Sequence, residues 1–284
     1  MKVNTPSNLE QQRQSKVKPT RRFFRRIKSA VLKHEFIYRI QLRMKFGSYK
    51  GDVVQESVLP NKVLKNNAEW RDSIAKVRRF GLPLHRGSEK NWDHLSAIIA
   101  IASHTPTSAR ILDAGSEFYS NVLPALFILG YEHLYGINLS FTDRARRGPI
   151  EYLPGDITNS PFPNEYFDAV TCMSVIEHGV PLAEYLREMH RVLKPGGLLI
   201  TSTDYYPTPI DTTGKFAHGS PIKIFTKAEI EQIFVEALAA GFELTGDINL
   251  NSTGRPVRWE QYHLDYTFVV FTLRKKPHVP SRSG

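Results

Sequence analysis

The sequence predicts an α/β fold: a doubly wound, mostly parallel sheet of about seven strands with helices on both faces. Three observations predict it. From Arg110 onward, short apolar runs alternate with helical patterns, which is how strand–helix–strand repetition reads. Leu182, Leu186, Met189 and Leu193 form one apolar stripe that stops at Lys194-Pro195-Gly196-Gly197, a run unable to continue a helix. Thr226 and Glu229 make a capping-box pattern, followed by Ile230, Ile233, Phe234 and Ala237 at helical spacing and by Gly241 as the stop.

The chain has 284 residues, 41% of them hydrophobic and 23% charged, a globular composition that excludes a fibrous or wholly disordered chain. Cys172 is the sole cysteine, so no intrachain disulfide and no Cys-rich zinc site can form. The ten histidines do not cluster with acids at ligand spacing, so no metal site is expected. Neither a secretory leader nor a spanning run of 18 apolar residues is expected, and the expected location is cytoplasmic.

Charge is uneven. Residues 1–50 hold 14 Lys and Arg against Glu10 and Glu35, a net of +12; the whole chain is +10, so the rest is −2. Residues 1–20, polar and carrying Pro6 and Pro19, read as a disordered basic tail. Residues 21–50 read as a basic amphipathic helix. Phe24, Ile27, Val31 and Tyr38 lie on one face, widened by Phe36 and Ile40, and Arg21, Arg22, Arg25, Arg26, Lys28, Lys33, Arg39, Arg43 and Lys45 alternate with them. Three readings stand for residues 21–46: a membrane surface or membrane-bound partner, docking on the body, or nucleic acid, the weakest of the three.

Residues 51–91 form a helical lead-in. It includes a helix over 66–80 through Trp70, Ile74 and Val77, and a loop marked by Gly81, Pro83 and Gly87. The main domain spans 92–276, and 277–284 are a tail. A helix from Trp92 to His104 opens the domain, with Leu95, Ile98, Ile99 and Ala102 inward. Strands follow at Arg110–Asp113, Leu134–Ile137, Ala169–Met173, Leu198–Thr201 and Thr267–Leu273. Helices lie at Tyr119–Leu129, Pro181–Leu193 and Lys227–Ala240. Such sheets bind ligands at the carboxyl ends of their strands, which directs attention to the loops after 113, 137, 157, 173 and 203.

Three of those loops carry candidates. The first reads Asp113-Ala114-Gly115-Ser116-Glu117-Phe118-Tyr119, a strand end and turn where backbone can approach a ligand. Asn138 ends the next strand, where a polar side chain can meet a ribose diol, and Gly155-Asp156-Ile157 follows a third; Asp156 can accept from an exocyclic amine. Both residues are equally good turn-formers.

The most specific stretch runs from Phe162-Pro163-Asn164-Glu165-Tyr166-Phe167-Asp168 through Ser174-Val175-Ile176-Glu177-His178 to Arg191-Val192-Leu193-Lys194-Pro195-Gly196-Gly197. Here the chain resembles the class I S-adenosylmethionine-dependent methyltransferases of the small-molecule branch, over about residues 92–275. The resemblance implies a Rossmann-like fold and S-adenosyl-L-methionine as cofactor. It places Asp113 and Gly115 at the methionine end, Asn138 at the ribose, Asp156 and Ile157 at the adenine, and Ser174 to His178 beneath the reactive sulfonium. Two positions depart from the family pattern: Glu117 and Tyr119 stand where later glycines are usual, and Asn138 where an acid is usual. Glu117 is a candidate for pairing with the cofactor's ammonium group.

Methyl transfer to a hydroxyl benefits from a general base. His178 is the first candidate and His218 the second; packing beneath the cofactor and a surface loop are the respective alternatives. The segment 203–219, with Tyr205, Tyr206 and Asp211, and a second patch with Trp259 and Tyr262 suit a polar acceptor such as a sugar. Asp265-Tyr266-Thr267-Phe268 adds to a softer resemblance, to bacterial methyltransferases of surface polysaccharide biosynthesis and glycoconjugate assembly. That resemblance implies a glycan acceptor and peripheral attachment at the inner membrane face. A non-catalytic binding or scaffold protein and an RNA methyltransferase guided by the arm are the competing functions.

Overall fold

The computed structural model describes residues 31–49, 57–217 and 219–277. The expected tail at 1–20, the first part of the expected arm helix, His218 and the end of the C-terminal tail lie outside the described residues. In chain order the elements are α1 (Glu35–Phe46), β1 (Lys62–Val63), α2 (Asn67–Phe80), α3 (Lys90–His104), β2 (Arg110–Ala114), α4 (Val122–Ile128), β3 (His133–Asn138), β4 (Ala145–Arg147) and β5 (Ile150–Pro154). They continue with β6 (Phe167–Met173), α5 (Leu182–Val192), β7 (Leu193–Tyr205), β8 (Phe216–Ala217), β9 (Ser220–Pro221), α6 (Lys227–Ala239), β10 (Phe242–Leu244), β11 (Val257–Trp259) and β12 (Leu264–Lys275).

Five strands run parallel in the order β7-β6-β2-β3-β5, and β12 adds antiparallel beside β7. The short strands β1, β4, β10 and β11 extend the sheet to ten, against the expected seven or so. Alternation along the strands feeds two cores. Ile111, Ala169, Ile200, Phe268 and Val270 face α2, α3 and α4. Leu112, Val170, Cys172, Leu199, Val269 and Phe271 face α5 and α6. The period of two is what lets one strand serve both layers.

Local chemistry sets the ends. Asn66 caps α2, accepting from Ala68 and Glu69 at 2.9 and 3.2 Å. The capping box of α6 forms in both halves: Thr226 Oγ1 accepts from Glu229 N, and Thr226 N donates to Glu229 Oε2 at 2.8 Å. The run Lys194–Gly197 ends α5 as expected, but it lies inside β7 rather than in a loop. Register jumps from Phe167↔Leu193 to Ala169↔Leu198 there. Gly196 has φ +79, and a Cβ on Gly197 would lie 2.8 Å from Lys194 O.

Two parts of the lead-in join the body. β1 pairs with β12, Lys62 opposite Val270. α1 begins only at Glu35, after a turn at Lys33-His34, and docks through Tyr38 and Leu42. The Tyr38 ring stacks on Phe127 with centroids 5.7 Å apart, and Gly148 N donates to Leu32 O at 2.8 Å. The expected apolar face is therefore split: Tyr38 turns inward, while Phe36 and Ile40 face solvent, because the stripe that meets the body is Tyr38–Leu42. Among the described residues no helix is long and apolar enough to cross a membrane.

The α6 cap has a measurable worth. Thr226→Ala is expected to lower unfolding free energy by about 1 kcal/mol and Thr226→Ser by far less, read from urea denaturation midpoints. Equal losses in both would mean that the hydroxyl does not cap.

Candidate active site

The carboxyl ends of β2, β3, β6 and β7 meet at one edge of the sheet, and the first residues of β12 arrive there from the opposite direction. The loop after β2 is shaped by Gly115, φ +84, which lies against the loop after β6: a Cβ there would stand 2.4 Å from Val175 Cγ2. Only glycine lets these two loops touch.

Glu117 ends that turn. Its Oε1 accepts from Ser140 Oγ at 3.0 Å and lies 3.5 Å from Asn138 Nδ2. Asn138 spends its groups on the chain: Nδ2 donates to Gly115 O at 3.0 Å, and Oδ1 accepts from Ser140 N at 2.8 Å. The carboxylate beside the end of β3 thus comes from Glu117, with Oε1 held by Ser140. A carboxylate at this position is a strong hydrogen-bond acceptor. Phe118, Tyr119 and Leu139 stand exposed beside it.

Asp113 and Asp156 both bond within the chain, Asp156 by the turn-forming alternative. Asp113 is buried and accepts from Thr171 Oγ1 at 2.7 Å; burial raises its carboxyl above the usual range. It holds β2 to β6 from within the sheet. Asp156 Oδ1 accepts from Thr158 N and Oγ1 at 2.8 and 2.7 Å, the geometry of a turn-former, and the Ile157 side chain lies in the core.

The other end of the cleft holds a buried polar cluster. Lys90, on the first turn of α3, donates to Ser174 Oγ, lies 3.6 Å from Asp204 Oδ1, and sits 3.8 Å from the centre of the Phe268 ring. Ser174 takes φ +54 at the end of β6. Asp204 also pairs with the Tyr266 hydroxyl. Glu177 accepts from Thr203 Oγ1 at 2.9 Å, and Asp93 accepts from Ser202 Oγ at 2.6 Å. Burial, then the charge of Asp204, push the Glu177 carboxyl up to about 8, while Lys90 opposes the shift. Burial raises Asp204 as well. His178, half-buried, adjoins this cluster in sequence, its N–H donating to Val175 O at 3.0 Å.

The lead-in closes the side of the cleft. His94 Nδ1 meets Asn121 Oδ1, and Asn121 Nδ2 donates to Pro83 O at 2.8 Å. The His85 ring lies 4.8 Å from that of His94 and 6.0 Å from that of Tyr119. Burial, then the neighbouring His94, lower His85 to about 4, so it is neutral at pH 7.

The acceptor candidates separate. Tyr205 is fully buried and its hydroxyl donates to Leu250 O, so it packs the α6 face and offers an acceptor nothing. Tyr206, Trp259 and Tyr262 each pack against the other core; the Trp259 and Tyr262 rings lie 4.8 Å apart, and Tyr262 donates to Phe216 O, tying the two aromatic segments into one cap. Asp211 is exposed and accepts from Thr213 N at 2.9 Å, a turn of its own. Lys90, Asp93, Asp204, Tyr266 and His85 were not among the sequence candidates. The signal for Asp204 lies in β7 itself: four polar residues, Thr201 to Asp204, follow the apolar run Leu198–Ile200.

Residues 112–201, which carry the first loop, Asn138, Ser174, Glu177 and His178, match the methyltransferase domain family. Among curated proteins, the chain is 25% identical over 166 residues to the ubiquinone/menaquinone biosynthesis C-methyltransferase UbiE of Proteus mirabilis, covering 55% of this chain and 62% of that one. It is 27% identical over 166 residues to phthiotriol/phenolphthiotriol dimycocerosates methyltransferase 1 of Mycobacterium ulcerans, covering 55% and 60%. It is 34% identical over 131 residues to demethylmenaquinone methyltransferase of Renibacterium salmoninarum, covering 44% and 52%. The chain thus spans about six tenths or less of the length of these relatives. Among solved structures, the [4+2]-cyclase SpnF superposes with a TM-score of 0.51 at 18% identity, covering 78% of this chain and all of that one, a likeness of fold.

The buried acid gives a pH signature. The native state keeps a proton on Glu177 that the unfolded chain loses above about 4.5, so stability falls as pH rises from there toward about 8. The slope is on the order of 1 kcal/mol per pH unit for one proton. Glu177→Gln is expected to flatten it in thermal melts between pH 5 and 9; an unchanged slope would assign the decline elsewhere.

Proposed function

We propose that this chain transfers a methyl group from S-adenosyl-L-methionine to a hydroxyl of a small polar acceptor, with a sugar or glycoconjugate as the acceptor class. The observation that carries the reading is the cluster of Lys90, Ser174, Glu177, Asp204 and Tyr266, which stands at the strand ends of the segment matching the methyltransferase domain family. When bound, the cofactor supplies an electrophilic methyl carbon. Glu117 holds the ribose hydroxyls in place of an acid at 138, and Gly115 keeps the backbone of the first loop within reach. At the far end, His178 would take the proton that the acceptor hydroxyl gives up as the carbon–oxygen bond forms and the carbon–sulfur bond breaks, the cofactor leaving as its neutral thioether. Lys90 and Asp204 orient the acceptor by charge-assisted hydrogen bonds. The cap of Tyr206, Trp259 and Tyr262 supplies ring faces.

That cap also favours a second reading, an aromatic acceptor. The curated relatives named above for quinone biosynthesis support it, and a panel of sugar and phenolic acceptors separates the two.

The cofactor half of the proposal is tested by calorimetric titration of the full chain with S-adenosylmethionine and S-adenosylhomocysteine. Micromolar binding is expected, weakened about tenfold or more in Glu117→Gln, since a charge-assisted bond is lost. Partial recovery is expected in Glu117→Gln/Asn138→Asp. No binding to the folded wild-type chain would leave a non-catalytic scaffold as the reading. Binding unaffected by Glu117→Gln would remove Glu117 from the site and leave the cofactor in place.

A further inference from the structure

We propose that α1 is a two-sided helix whose outer face inserts at an anionic lipid surface. Tyr38, Leu42 and Phe46, four residues apart, turn toward the body. At 100° per residue, Phe36, Ile40 and Met44 form a second stripe on another side of the same helix. Phe36 is 73% exposed and Met44 83%, with Ile40 at 41% and Ile37 at 38%. A soluble helix with one docked face ordinarily carries polar residues opposite it. Here the outward face holds an aromatic ring, a thioether and two isoleucines, with Arg43 beside the stripe and Lys33 just before the helix.

Charge selects the occupant. Residues 31–49 carry Lys33, Arg39, Arg43 and Lys45 against Glu35, a net of +3, and residues 1–30 carry nine basic residues against Glu10, a net of +8. Covering this face with residues 1–30 of the same chain sets like charge on like charge. So does a second copy, which would meet it face to face. An anionic surface is complementary. The apolar stripe between the cations then selects lipid over nucleic acid, because phosphate contacts need cations and polar groups, whereas Phe, Ile and Met gain by leaving water for the acyl boundary.

The helix is also wired to the cleft. Arg147 pairs with the Tyr38 hydroxyl, donates to Phe118 O at 2.7 Å, and lies 4.6 Å from the centre of the Phe118 ring. Phe118 is the residue after Glu117. The inner face of α1 therefore lies one side chain, Arg147, from the first loop of the cleft. The inference stands on exposure and charge and does not rest on the methyl-transfer reading.

The test is sedimentation of the full chain with vesicles of phosphatidylcholine alone and with 30% phosphatidylglycerol added, beside the triple variant Phe36→Ser/Ile40→Ser/Met44→Ser. Binding to the anionic vesicles is expected, falling at least about tenfold in the triple variant. Matching thermal melts, expected because these side chains are exposed, ensure that the loss is not unfolding. Lys33→Glu/Arg43→Glu is expected to weaken anionic binding as well. Three results would overturn the proposal: no binding by the wild type, equal binding by the triple variant, or a dimer mass by light scattering that the triple variant abolishes. Retention on an RNA homopolymer that the triple variant keeps, with no vesicle binding, would overturn it in favour of nucleic acid.

Discussion

Four carboxyl groups, those of Asp93, Asp113, Glu177 and Asp204, are buried at one end of the sheet. Removing a carboxylate from water is costly unless hydrogen bonds, a counter-charge or a proton compensates. Three accept from strand hydroxyls, Asp113 from Thr171, Asp93 from Ser202 and Glu177 from Thr203, Glu177 also retaining a proton, and Asp204 faces the ammonium of Lys90. These solutions draw α3, β6, β7 and β12 to one point. Lys90 can serve Asp204 and Ser174 together only because α3 starts where it does, and the polar run Ser202–Asp204 is held because β7 is paired on both sides. The cleft is thus a place where hydration has been exchanged for fixed partners, the condition under which charge acts strongly on a bound molecule.

Most of the architecture was legible in the sequence. The five long strands, the α5 stripe and the α6 capping box follow from periodicity and local hydrogen bonding, which act within a few residues. What escaped depends on pairing far along the chain. β1 has two residues and no pattern, and only the partner at Val269 and Val270 makes it a strand. The Lys194–Gly197 run reads locally as a loop, but its glycines permit a bulge within β7.

The site divides in the same way. The loops were found because glycine and strand ends announce themselves. Side-chain direction was not: Tyr205 and Tyr206 are adjacent and point to opposite faces, so one is core and the other cap. Asn138 reads in the sequence as a lone amide at a strand end; what does not read there is that Glu117, in the loop after the adjacent strand, bonds Ser140 beside it while Asn138 bonds Gly115 O.

The strand β12 pairs with β7, β1, β10 and β11. It comes after all of them in the chain, and Lys62 must wait for Val270. A nascent chain leaving the ribosome therefore exposes the edge of β7 from the time Tyr205 emerges until β12, which begins at Leu264, follows it. The parallel half can condense early, but the antiparallel half closes last and all at once. Such long-range closure is slow and leaves an open edge meanwhile. The cost of this topology falls on the interval before closure, when the β7 edge stands open, rather than on the finished sheet.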